Sequence, residues 1–101
     1  ALALMGDHLS QMGFNEKEIS DFKLFWKDYL PTTPYTQFSW IGTADMNTLA
    51  PLSITPRPDT ILRAFVDFKG LEEPVAITPQ KINKIERNGF TATEWGGIIR
   101  K

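Results

Sequence analysis

The sequence predicts an α+β domain in which an amino-terminal helical hairpin packs on a small, mostly antiparallel β-sheet. Two observations carry that prediction. Apolar residues recur at helical spacing only in the first part of the chain, and alternating or β-branched runs separated by Gly and Pro follow it. With 101 residues, 42% hydrophobic and 23% charged, the chain has the length and composition of one globular core. We therefore read residues 1–101 as a single domain.

Leu2, Met5, Leu9 and Met12 are spaced by three and four, which gathers them on one face of a first helix that stops at Gly13. Asn15 then has the position of an N-cap, and Glu18 three residues on completes a capping box. Phe14 and Ile19 have the spacing of the accompanying hydrophobic staple. Ile19, Phe22, Phe25, Trp26, Tyr29 and Leu30 form the apolar stripe of this second helix, which Pro31 prevents from continuing.

Tyr35–Ile41 is aromatic and β-branched and ends at Gly42, which predicts a strand. Residues 45–50 fit a helical turn. Pro51, Pro56 and Pro58 keep the next segment out of a sheet, with Leu52 and Ile54 expected to dip into the core. From Thr60 the strand pattern is clearest: Leu62, Ala64, Val66 and Phe68 point one way, and Arg63 and Asp67 the other. Residues 74–77 are at most an edge strand, and residues 80–87 a loop or one helical turn. Asn88-Gly89 predicts a turn before a last strand over 90–95, broken by Gly96-Gly97 ahead of Ile98-Ile99.

Composition excludes several function classes. Eleven Lys and Arg against twelve Asp and Glu leave a net charge of -1, with the cations dispersed, so no phosphate-tracking surface is expected. Nucleic acid is not a predicted partner. Without cysteine there is neither a thiol nucleophile nor a cysteine-ligated metal. The apolar opening is interrupted by Asp7 and His8 too early for a membrane span.

His8 is the one histidine, and Asp7 beside it points about 100° away on a helix, so the pair makes no catalytic dyad. A surface position is expected for it. Asp45-Met46-Asn47 starts like a calcium loop, but Leu49 and Ala50 stand where an oxygen ligand and the turn glycine belong. No metal or cofactor is predicted. Asp59, Asp67 and Glu94 are the carboxylates placed on strands, and a hydrolase would need two of them converging. The plainer expectation is a ladder of ion pairs on a half-solvated sheet face, with Glu94 opposite Arg63.

Twelve aromatic residues remain to be placed. Trp26 and most Phe are expected in the core, whereas Tyr35, Trp40 and Trp95 are candidates for an exposed platform that binds a protein or stacks on carbohydrate. Arg63 and Glu94 are the charged candidates beside them.

The run Gly13-Phe14-Asn15-Glu16-Lys17-Glu18, then Phe25-Trp26, Leu30-Pro31, Leu49-Ala50-Pro51-Leu52, Pro58-Asp59-Thr60 and Lys69-Gly70-Leu71, resembles the carboxy-terminal half of an uncharacterised microbial protein family. Gly89-Phe90-Thr91 and Glu94-Trp95-Gly96-Gly97 resemble that family's closing motif. The resemblance implies a β-rich half upstream, opening near a Pro-Val-Ile-Tyr-Leu-Tyr-Pro motif, and an extracellular or cell-surface setting. It implies no activity. Ala1 lies within a helical pattern with no cap before it, so a cut end is expected there, and the domain is expected to be part of a longer chain. The predicted function is a non-enzymatic structural or protein-interaction module whose partner is that upstream half or further copies of itself.

Overall fold

The computed structural model describes residues 2–76 and 79–100. Its elements are α1 (Leu2–Met12), α2 (Glu16–Trp26), β1 (Tyr35–Ile41), α3 (Thr43–Leu49), β2 (Thr60–Leu71) and β3 (Thr91–Arg100). The α+β class is as the sequence predicts, with helices packed on a three-stranded sheet of order β1-β2-β3. The sheet is mixed: β1 runs antiparallel to β2, and β3 runs parallel to it. A parallel return needs a crossover of a dozen residues or more. The segment between Leu71 and Thr91 is long enough, although no helix forms among its described residues.

The hairpin forms for the reasons its sequence suggests. Met5, Leu9 and Met12 are buried on one face of α1, and Gly13 leaves the helix with a φ of 115°, a conformation that glycine adopts without strain. The Asn15 side chain accepts from the Glu18 amide at 2.9 Å, while Glu18 Oε1 accepts from the Asn15 amide at 2.8 Å. The same carboxylate takes a bidentate pair from Arg87, at 2.7 and 2.9 Å, which ties the long crossover to the start of α2.

Arg87 bonding first, opposed by burial and helped by the Asn15 amide, holds the Glu18 carboxyl below its ordinary value. Native protein therefore binds fewer protons than the unfolded chain, and this stabilisation is present above the ordinary value of 4.5 and lost as pH falls through the lower folded value. Urea midpoints measured from neutral into acid should fall less steeply in Glu18→Gln than in the parent. Equal slopes would contradict the assignment.

Leu62, Ala64, Val66 and Phe68 of β2 all point to the helices and are buried, as the alternation predicts. Phe22 and Trp26 of α2 meet them there, with Trp26 edge-on to Phe68 at 5.3 Å between centroids. The Trp26 Nε1–H is buried with no acceptor among the described residues, a cost of about 1–3 kcal/mol that the ring's large apolar area offsets.

Several expectations need correction. Helix α2 ends at Trp26 and not at Pro31, and it turns Phe22 and Trp26 to the core; Phe25, about 100° round the helix from Trp26, and Tyr29, beyond its end, are 47% and 53% exposed. Leu52 is exposed as well, because the proline-held segment runs outside the core. No strand forms over Pro74, Val75 and Ala76, and Ile77, the last residue of that expected edge strand, lies outside the described residues, as do Ala1 and Lys101. The last strand is not broken at its glycines. A Cβ on Gly97 would sit 2.8 Å from the Trp26 ring and 2.9 Å from Val66, and one on Gly96 would sit 2.7 Å from the Phe65 ring. These glycines let β3 lie flat beneath aromatic rings on both faces.

Candidate functional site

The sheet has two outer edges, and they differ. On β1 the Gln80 side-chain amide caps the edge much as a neighbouring peptide group would: Oε1 accepts from Trp40 N at 2.7 Å and Nε2 donates to Trp40 O at 2.8 Å. On β3 no backbone hydrogen bond reaches the outer edge among the described residues. Thr60, which stands opposite Thr91, donates its amide to the Phe90 carbonyl at 3.2 Å. Parallel ladders alternate, so the even residues of β3 bond to β2 and the amides and carbonyls of Thr93, Trp95, Gly97 and Ile99 point outward.

An apolar strip runs beside that open edge. Trp95 packs edge-on against Phe22 at 5.2 Å and against Phe25 at 5.5 Å between centroids. Phe25 stacks on Tyr29 at 5.1 Å, and Ile99 is partly exposed two residues beyond Gly97 on the same face as Trp95. Aromatic residues whose rings are half exposed and mutually packed are common anchors of protein interfaces.

The opposite face of the same strands carries charge. Arg63 stands opposite Glu94 in register, and its Nε donates to Glu94 Oε1 at 2.8 Å. Further along, Arg100 Nε meets both Asp67 oxygens, at 2.7 and 2.8 Å. The expected ion-pair ladder is present, with one correction: Arg63 is only 3% exposed, so its site is not half-solvated. Helix α3 covers it, and its Nη1 donates to Ala50 O and Asn47 Oδ1 at 2.6 and 3.1 Å, while Thr43 Oγ1 bridges its backbone. The Arg100 guanidinium holds the Asp67 carboxyl below its usual value, chiefly by hydrogen bonding.

The structure thus brings Arg63 and Glu94 together and sets Trp95 on the other face next to them, but Trp40 and Tyr35 lie on β1, with β2 between them and the strand that carries Glu94 and Trp95. Trp40, expected as an exposed ring, is buried at 5%. Its indole N–H donates to His8 Nδ1 at 2.9 Å, and its ring meets Phe22 and Phe38. His8 is accordingly half-buried against β1 and not on the free surface. Tyr35 is exposed at the start of β1. A flat carbohydrate platform of Tyr35, Trp40 and Trp95 does not form, because one ring is in the core and another is packed edge-on by phenylalanines.

The carboxylates are likewise apart. In the parallel register Asp67 stands opposite Ile98, four residues along from Glu94 and thus roughly 13 Å away, well beyond the spacing of a glycosidase pair. Asp59 is occupied by the Phe90 amide at 2.9 Å. Phe25, Tyr29 and Ile99 complete the exposed apolar strip, and periodicity hides them: the first two fit the helical stripe, and the last lies beyond a glycine pair read as a strand end.

Fold and surface together define an α+β domain with one capped sheet edge and one open edge flanked by aromatic side chains. No protein-family model, curated protein or solved structure matches the chain. No helix among the described residues is long and apolar enough to cross a membrane.

Proposed function

We propose that this domain is a non-enzymatic structural or protein-interaction module that joins a larger assembly through the outer edge of β3. The observation that carries the reading is the coincidence of outward-pointing backbone groups at Trp95, Gly97 and Ile99 with the exposed strip of Phe25, Tyr29 and Ile99. An added strand supplies main-chain hydrogen bonds, and the strip gives it apolar pockets. Its partner is another polypeptide: a β-rich upstream half, as the family resemblance suggests, or further copies of the chain. The same resemblance favours an extracellular or cell-surface setting.

Native mass spectrometry on the protein from its own source tests this reading. A stoichiometric complex in which the outward β3 amides exchange slowly is the expected result. A lone chain, or a complex that leaves those amides fast, would count against it.

A further inference from the structure

Resting on that reading, we infer that the β3 edge pairs with the β3 edge of a second copy, antiparallel, in the register that places Gly97 opposite Gly97. Three features of the strand point to this occupant and this alignment. The first is parity. Gly97, Trp95 and Ile99 all turn their amides and carbonyls outward, so Gly97 would exchange two hydrogen bonds with its counterpart, and Trp95 two with Ile99 of the second copy.

The second is charge. In this register Glu94 of each copy faces Arg100 of the other. The intramolecular pairs Arg63–Glu94 and Asp67–Arg100 then join into one row that reads Arg63, Glu94, Arg100, Asp67 across the two sheets, alternating in sign at every step. Sliding the strands by one hydrogen-bonded step places Glu94 opposite Ile98 or takes it past the strand end, and further sliding in the first direction brings Glu94 onto Glu94. The Gly97-centred register alone opposes unlike charges twice.

The third is shape and apolar matching. Glycine at the two-fold position puts no side chain on the axis, and on the helix face Trp95 meets Ile99 of the second copy. The Phe25–Tyr29 stacks lie beside this seam in both copies, and both helices α2 stand on the same side of the resulting six-stranded sheet. A contact of this kind is isologous and closed, so it yields a dimer and not a fibre. The row of open backbone groups is otherwise an edge with neither proline nor lysine to blunt it within Thr91–Arg100.

Sedimentation velocity over a concentration series on the 101-residue chain measures the association, and mixed-label NMR reads the register. The expected result is a reversible dimer with inter-chain contacts between the Trp95 and Ile99 amides. Arg100→Glu, which reverses two facing pairs at an exposed position, should weaken the dimer about tenfold or more, and Ile99→Lys should weaken it too, with circular dichroism unchanged in both. A folded chain that stays monomeric throughout, or a dimer indifferent to both variants, overturns self-pairing. Should the monomer nevertheless come from its source in a complex with different chains, with slow exchange at the outward β3 amides, the interaction reading stands without the self-pairing; fast exchange there would sink both.

Discussion

Phe22→Ala should lower stability by about 3–5 kcal/mol, whereas Phe25→Ala, three positions along the same helix, should cost less than about 1 kcal/mol. Phe22 is fully buried and its ring meets Trp26, Trp40 and Trp95, so one side chain joins α2 to the two outer strands. Removing it leaves a cavity that three large rings, each fixed by other neighbours, cannot collapse to fill. Phe25 has nearly half its surface in water and loses mainly its contacts with Tyr29 and the edges of Trp26 and Trp95. Urea denaturation of the two variants measures both values. Similar losses would mean that α2 turns a different face to the sheet.

Glu94→Ala should cost about 2–3 kcal/mol, more than Arg63→Met, which should cost about 1–2 kcal/mol. The asymmetry follows from where each partner sits. With Glu94 gone, the Arg63 guanidinium remains buried under α3 with only the neutral acceptors Ala50 O and Asn47 Oδ1. With Arg63 replaced by an apolar chain of similar length, Glu94, whose side chain is 39% exposed, rehydrates in place. Thermal or urea unfolding of both variants decides the order, and a greater loss in Arg63→Met would show that docking α3 matters more than compensating the buried charge.

Much of the architecture was legible because it is local. The capping box of Asn15 and Glu18, the bounds of β1, and the inward set Leu62, Ala64, Val66 and Phe68 depend on spacing within a few residues, and spacing is what a sequence displays. The facing of Arg63 and Glu94 was anticipated too, since both lie on predicted strands and come opposite one another if those strands pair. What escaped was decided by distant parts of the chain. Gly96 and Gly97 read locally as breakers, yet Phe65 and Trp26 fill the space their side chains would take, and β3 continues to Arg100. Trp40 resembled a surface ring until His8, thirty-two residues earlier, supplied its indole with an acceptor.

The same holds for the proposed interaction surface. Phe25 and Tyr29 fit the apolar stripe of a helix running to Pro31, but the phase at which Phe22 and Trp26 are buried turns Phe25 outward, and the stop at Trp26 leaves Tyr29 exposed beside it. The parallel placement of β3 was hidden because the described residues of its crossover contain no helix, the usual sign of a parallel return. An open, aromatic-flanked edge therefore arose from two tertiary facts that spacing alone does not encode.

Residue-resolved amide exchange across β3, compared between the dilute chain and the proposed assembly, tests the proposed interaction surface most directly. The account predicts that Thr93, Trp95, Gly97 and Ile99 exchange fast in the dilute chain and slowly in the assembly, while the even residues, bonded to β2, are protected in both. Protection of the odd amides in the dilute monomer, or none gained in the assembly, would contradict it.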